Sequence, residues 1–277
     1  MHSPLSPTHA KHFTHSTAAS EHRRMSLKIA TFNVHCWMDA GHVDNVERIA
    51  ALIQKYDPDI LCLQECTKDK VYRFLRKLPE KFYCSHIFSS ACHIFSKHHI
   101  EQDTKHINLK KVGARFVIGK VRIPSILAPI YITNVHLNHR EEPRRLKEME
   151  FLQKKIFDTI QDSEFKILCG DFNALTQEDY TTKEFKEISF IRDRNSWESP
   201  QMKVTKMVKD LGFTDSWERA GKPAPVKTCR FSTRIDYVFV SKQLEKLLKL
   251  VEVCHVDDSA SDHNMVVANL TFKQLKD

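Results

Sequence analysis

Short apolar blocks alternate with polar stretches along most of this chain, and each block has the period of a strand or of a helix. Residues 27–33, 59–65 and 166–171 are compact apolar runs that read as buried strands. Residues 112–123 and 130–137 alternate like the two strands of a hairpin, with Pro124 to Pro129 as the turn. Two more strand-like pieces fall between Phe82 and Phe95, and 235–240, 247–256 and 264–272 close the chain as strands. Val46, Ile49, Ala50 and Ile53 follow helical spacing, which predicts a helix over 43–56 with Asp44 as its cap and Asp57-Pro58 as its stop. Helices are also expected over 68–78, 141–160 and 199–211, the last ending at Gly212. Helices and strands interleave, yet several strand pairs look antiparallel. That predicts an α/β sandwich of mixed sheets rather than an all-parallel, doubly wound sheet.

The ends of these strands carry the polar chemistry. Residues 166–173 read Lys-Ile-Leu-Cys-Gly-Asp-Phe-Asn, an apolar run that delivers Asp171 and Asn173 at its tip. Side chains alternate along a strand, so these two face the same way, about 7 Å apart. A carboxylate beside a carboxamide can hold a water nucleophile and stabilise an oxyanion, although Gly-Asp-x-Asn also makes ordinary turns. Asn33 ends the 27–33 run, where its oxygen can ligate a hard cation or cap a turn. Glu65 follows a buried strand directly; a carboxylate in such a place should meet a cation or a base. His136 ends another strand, a position that suits a hydrogen-bonded core histidine as well as a catalyst. Asp236 lies inside an apolar run, and Asp262-His263 sets an acid and a base together before the last strand.

In chain order these segments are Phe-Asn-Val (32–34), Leu-Gln-Glu (63–65), Asn-Val-His-Leu (134–137), Gly-Asp-Phe-Asn (170–173), Arg-Ile-Asp-Tyr-Val-Phe (234–239) and Ser-Asp-His (261–263). As a set they resemble the motifs of the endonuclease/exonuclease/phosphatase superfamily, the DNase I-like fold, over nearly all of 27–270. The resemblance implies a four-layer α/β sandwich of two mixed β-sheets flanked by helices, with 27–273 as the catalytic domain. It further implies a phosphoric ester hydrolase that uses Mg²⁺, with Mn²⁺ as a substitute, and in-line attack of water. On this resemblance Asn33, Glu65 and Asp262 form the metal site. Mg²⁺ prefers oxygen ligands and keeps several waters, and the chain has no Cys/His cluster with zinc spacing. Asp171 would orient or deprotonate the water, and Asn173 would hydrogen-bond the phosphorane oxygens. His263, held by Asp236, would remain protonated and stabilise the pentacovalent phosphate, with His136 as a second donor. A carboxylate of ordinary acidity is a poor base near neutral pH, so positioning and electrostatics must carry most of the rate.

Other residues are less specific. Arg115 and Arg145, the latter beside Arg144, are candidates for binding substrate phosphate, although a solvated helix face explains the arginine pair equally well. Lys97, Lys105, Lys110 and Lys111 read as solvated surface. His35 and His139 lie close to site positions and are expected at most to support them. Trp197 and Trp217 read as core or helix-packing residues rather than base-stacking platforms.

Composition narrows the partner more than the reaction. Among 277 residues Lys and Arg number 43 and Asp and Glu 35, a net charge of +8 that favours a polyanionic partner. No apolar run approaches the roughly 18 residues of a membrane helix, so stable membrane insertion is not expected. Eight cysteines form no Cys-x-x-Cys pair, and no secretory apolar segment opens the chain, which together point to an intracellular setting, cytoplasm or nucleus. Residues 1–26, poor in acidic side chains and rich in Ser, Thr, His and Pro, read as a disordered tail, with an organelle transit peptide as the sharper alternative. Residues 274–277 read as a C-terminal tail, and a monomer is expected. The 228–234 segment is short and lacks the longer aromatic-rich insertion of apurinic endonucleases, and the long loops of lipid phosphatases are not evident. The compact ending is closer to small family members and to tyrosyl-DNA phosphodiesterases. With the charge, this favours nucleic acid or a nucleic-acid end adduct as substrate; the alternative is a small or lipid phosphate of phosphoinositide or sphingomyelin type.

Overall fold

The computed structural model describes residues 25–78, 82–86, 91–101, 115–124, 126, 128–223 and 226–273. Most of the N-terminal tail, residues 274–277 and Lys105, Lys110 and Lys111 lie outside the described residues. Two six-stranded sheets stack face to face. The first runs β11(Leu248–Val256)-β12(Met265–Phe272)-β1(Ser26–Asn33)-β2(Ile60–Gln64)-β4(His93–Ser96)-β3(Tyr83–His86). The second runs β5(Ile100–Glu101)-β6(Arg115–Val121)-β7(Ile130–His136)-β8(Phe165–Asp171)-β10(Asp236–Ser241)-β9(Phe213–Asp215). Both are mixed: β1–β2 and β7–β8 pair in parallel and the other ladders are antiparallel.

The central strands are apolar on both faces because both faces are covered. Ile29, Ile60, Cys62 and Ile94 of the first sheet meet Ile132, Ile167, Cys169 and Val238 of the second in the middle of the molecule. The outer face of the first sheet packs Phe32, Leu61 and Leu63 on α1(Val46–Tyr56) and α2(Lys68–Leu75). The outer face of the second packs Phe116, Val135 and Leu168 on α3(Glu142–Lys155) and α5(Lys203–Asp210). The order helix, sheet, sheet, helix is the expected four-layer sandwich. Each buried apolar side chain contributes about 1.5–3 kcal/mol to holding these layers together.

Several element ends differ from expectation. Helix α1 starts at Val46, because Asp44 accepts from the Val46 N–H at 3.1 Å and its own backbone bridges Met38. The 141–160 helix stops at Lys155 and continues as a separate 3₁₀ turn over Phe157–Thr159. The 199–211 helix begins only at Lys203. Four short elements fell below what periodicity resolves: β5, β9, α6(Ser216–Arg219) and α7(Lys242–Leu247). A longer one was also missed, α4(Thr182–Arg194), which is preceded by a full capping box between Thr181 and Glu184.

One glycine is required by the packing that carries the site. Gly170 has φ +134°, and a Cβ there would stand 2.0 Å from the Val135 carbonyl oxygen on β7. Gly170→Ala is therefore expected to cost at least about 3 kcal/mol, because the clash is with backbone that cannot give way. Urea denaturation checks this: a wild-type midpoint would contradict the close approach of β7 and β8.

Candidate active site

The two parallel strand pairs bring the predicted residues to one end of the sandwich. His136 on β7 pairs in register with Asp171 on β8, and Asp171 pairs with Asp236 on β10, so three neighbouring strands present these side chains in one row. Asn33 at the tip of β1 reaches across from the other sheet. Its Nδ2 donates to Asp171 Oδ2 at 3.0 Å and to Glu65 Oε1 at 3.2 Å. His136 Nε2 lies 3.6 Å from Asp171 Oδ2 and 3.7 Å from Glu65 Oε1. His263 Nδ1 is 2.9 Å from Asp236 Oδ2, while its Nε2 is 3.8 Å from Asp171 Oδ2. One network thus joins Asn33, Glu65, His136, Asp171, Asp236 and His263.

Backbone geometry fixes the rim. Glu65 (φ +58°), Asn173 (φ +48°) and the His35-Cys36-Trp37 turn (φ +47°, +53°, +63°) all occupy the left-handed region just past strand ends. Such conformations cost on the order of 1–3 kcal/mol each and persist where surrounding contacts enforce them. Here Asn173 donates its N–H to Asp171 Oδ1 at 2.9 Å and its Nδ2 to the Leu137 carbonyl at 3.1 Å. The Cys36 thiol donates to Glu65 Oε2 at 3.4 Å, and the His35 N–H donates to Asn33 Oδ1 at 2.9 Å.

Burial and charge set the protonation of the site. Complete burial raises the Asp236 carboxyl to about 6, helped by the nearby Asp171 charge and opposed by His263. Burial alone would lower the His263 pKa, but Asp236 and Asp171 outweigh it and hold the imidazole well above its usual value. Burial likewise pushes Glu65 up, and His136, Asn33 and Cys36 together bring it below the ordinary carboxylate range. His263 is therefore an imidazolium near neutral pH, and Glu65 is an anion.

Two side chains, Asp262 and Arg145, stand apart from the positions expected of them. Asp262 does not join the network around Glu65; its carboxylate faces His35 Nδ1 and Arg230 Nε, each at 3.7 Å. Arg145 is not available to a substrate. It is 3% exposed, ion-paired with Glu198 and donating to the Asn138 carbonyl at 2.9 Å. Arg115 opens β6 opposite His136, and its side chain lies outside the described residues. A cavity of about 700 Å³ opens beside Asn173, Asp262 and His263. Trp197 lines it and is 39% exposed, against the expectation of a core residue, whereas Trp217 is buried as expected. His139 also lines the cavity.

The sequence profile of the Endonuclease/Exonuclease/phosphatase family matches residues 30–263, a span that includes every residue of this network. The chain belongs to the endonuclease/exonuclease/phosphatase family. The family's members are phosphoric ester hydrolases: nucleases, phosphodiesterases and phosphatases. Sphingomyelin phosphodiesterase 2 of Homo sapiens is 24% identical over 176 residues, which are 53% of this chain and only 41% of the human protein. A family member from Beutenbergia cavernae has the same fold at 19% identity, with a TM-score of 0.64 over 90% of this chain and 72% of its own. Truncated TDP2 of Caenorhabditis elegans superposes with a TM-score of 0.57 at 19% identity, over 89% of this chain and 98% of that one.

The family typically uses a divalent cation, and the donors of this site fit a hard one. Glu65 and Asp171 offer carboxylate oxygens joined by Asn33 Nδ2. Ligand atoms of Asp171, Asp236 and His263 lie within 4.8 Å of one another, but the protonated His263 is a donor beside such a cation rather than a ligand. Asn33 Oδ1 accepts from the His35 N–H, and its Nδ2 orients Glu65 and Asp171. Glu65→Gln is expected to raise the divalent-cation concentration for half-maximal rate about tenfold or more. An unchanged metal titration, read by rate and by thermal shift, would remove Glu65 from the metal site.

Proposed function

We propose that this chain is a Mg²⁺-dependent phosphodiesterase that hydrolyses nucleic acid, or an adduct at a nucleic-acid end, by in-line attack of water. The observation that carries the reading is the contact of the buried Asp171 with Asn33, His136 and His263, the last of which lines the cavity. Asp171 Oδ2 lies among donors from three separate strands and loops, so it is fixed in place to orient a water and receive its proton. The water oxygen forms a bond to phosphorus as the bond to the leaving oxygen breaks. His263, an imidazolium held by Asp236, donates to the oxygens that gain charge on the way. Asn173 stands beside it with its side chain tied to Leu137, and His136 supplies a further donor within reach of Asp171. A bound Mg²⁺ would add charge neutralisation at the phosphate and leaving oxygen. Glu65 and Asp171, both held by Asn33 Nδ2, are the residues that would hold it.

Nucleic acid is favoured by the basic balance of the chain and by Arg140, Arg192 and Arg230 along the cavity. A second reading, a lipid or small phosphate ester, draws on the name of the human relative and on the apolar side chains of the same cavity. A substrate panel in Mg²⁺ or EDTA separates them: single- and double-stranded DNA, 5′-tyrosyl and abasic DNA, poly(A) RNA, a phosphoinositide and sphingomyelin. Turnover of one nucleic acid, lost in EDTA, is the expected result. Turnover confined to the lipids would replace the first reading by the second. Among the described residues no helix is long and apolar enough to cross a membrane.

A further inference from the structure

The cavity beside His263 has a wall that phosphate chemistry does not need. Ile188 and Ile191 of α4, Trp197 and Phe231 line it together with Asn173 and His263. The Trp197 and Phe231 rings meet edge to face, 4.8 Å between centroids at 73°, and form an aromatic corner. Phe231 is 46% exposed and Ile191 47%, so these are large apolar surfaces left in water. Helix α4 buries none of its residues fully, although it is thirteen residues long. A helix that adds nothing to the core, yet turns isoleucines toward the active-site cavity, is placed there for the cavity.

The corner is also firmly mounted. Glu198, next to Trp197, receives the buried Arg145 and the Glu142 N–H, and Arg192 Nε donates to its carbonyl at 2.7 Å. The Trp197 N–H donates to the Arg192 carbonyl at 2.9 Å. On the other side the 228–233 loop is held to the catalytic segment, since Arg230 donates its N–H to the Asp262 carbonyl at 2.8 Å. The Arg230 guanidinium sits 4.8 Å from the Phe231 ring centroid, at the boundary between the aromatic corner and Asp262. Rigid aromatic faces flanked by arginines and set beside a phosphate site suit a planar base on an anionic backbone. Stacking of a base on an aromatic side chain tolerates any sequence but needs a base free of its own stack.

We infer that the Trp197–Phe231 corner, flanked by Arg230, binds the unpaired base next to the scissile phosphate and so directs the enzyme to single-stranded or frayed ends. This deepens the nucleic-acid reading and rests on it.

The test uses Trp197 as its own reporter, since Trp37 and Trp217, the other two tryptophans, are buried. Full-length protein carrying Asp171→Asn, in EDTA, is titrated with a single-stranded tetranucleotide and followed by tryptophan fluorescence. Saturable quenching is expected, absent in Trp197→Phe, and a fluorescein-labelled copy of the oligonucleotide followed by anisotropy should bind about tenfold or more weakly to Trp197→Ala and Phe231→Ala. Circular dichroism confirms that each variant folds. In the active protein the same two changes should raise KM for single-stranded ends by a similar factor and leave a blunt duplex little affected. Quenching with this pattern supports the corner even if no nucleic acid is turned over, in which case the reaction reading alone fails. Nucleic-acid turnover with unaltered binding in both variants overturns the corner and leaves the reaction standing. Quenching by anionic vesicles of phosphatidylserine and phosphatidylcholine, with none by the oligonucleotide, overturns both in favour of a lipid surface. No quenching by either overturns the corner.

Discussion

Replacing Asp171 by Asn is expected to lower turnover about 10³-fold or more while the protein remains folded. The amide has nearly the shape of the carboxylate, so the Asn33 and Asn173 contacts are disturbed rather than removed. It cannot accept a proton from water, however, and it offers no negative charge to His136 or His263. Asp171 is where four contacts of the site converge: Asn33 at 3.0 Å, Asn173 at 2.9 Å, His136 at 3.6 Å and His263 at 3.8 Å. Single-turnover rates on the best substrate, beside a denaturation curve, make the measurement. Near wild-type rates in a folded variant would take Asp171 out of the chemistry.

His263→Gln is expected to reduce kcat by about 10²–10³-fold, the usual effect of removing one preorganised donor at a developing anion. The pH profile identifies the donor as a charged one. Because the His263 pKa is raised, the imidazolium persists through neutrality and is lost only as pH rises past that raised value. Because Asp236 is raised to about 6, acidification through that value protonates the carboxylate that orients the ring. Wild-type kcat/KM should therefore fall on the acid side near pH 6 and again on the alkaline side. Asp236→Asn should remove the acid limb and move the alkaline limb to lower pH, since the imidazolium loses its partner. A profile with both limbs unmoved in that variant would show that the pair does not govern the reaction.

The site was largely legible in the sequence because each of its members ends or opens an apolar strand. A polar residue at such an edge has few other places to go, and the motif set fixed the order in which strands arrive. What the sequence did not reveal is what depends on distant partners. Arg145 looks like a phosphate ligand because it follows His136 closely, but Glu198 and the Asn138 carbonyl take up its guanidinium. Trp197 looks like core because most tryptophans are, and only the fold shows that its segment caps a cavity. Helix α4 escaped because its apolar residues do not form a core stripe; the capping box Thr181-x-x-Glu184 was the one local sign of it. Asn33 arrives where its strand end predicts, but the orientation of its amide follows from the His35 N–H, a neighbour in an unusual backbone turn.

The placement of β1 has a consequence for how the chain comes off the ribosome. Its ladder partners are β2, which follows soon after, and β12, which begins at Met265. The whole second sheet, by contrast, lies between Ile100 and Ser241. A growing chain can thus complete the sheet carrying His136, Asp171 and Asp236 while the sheet carrying Asn33 still has an open edge. Until β12 arrives, β1 presents unpaired backbone groups beside apolar side chains, a template for association with other chains. The same last segment supplies His263, so the step that closes this edge also completes the catalytic network, and a chain stalled before it should be both inactive and prone to aggregate.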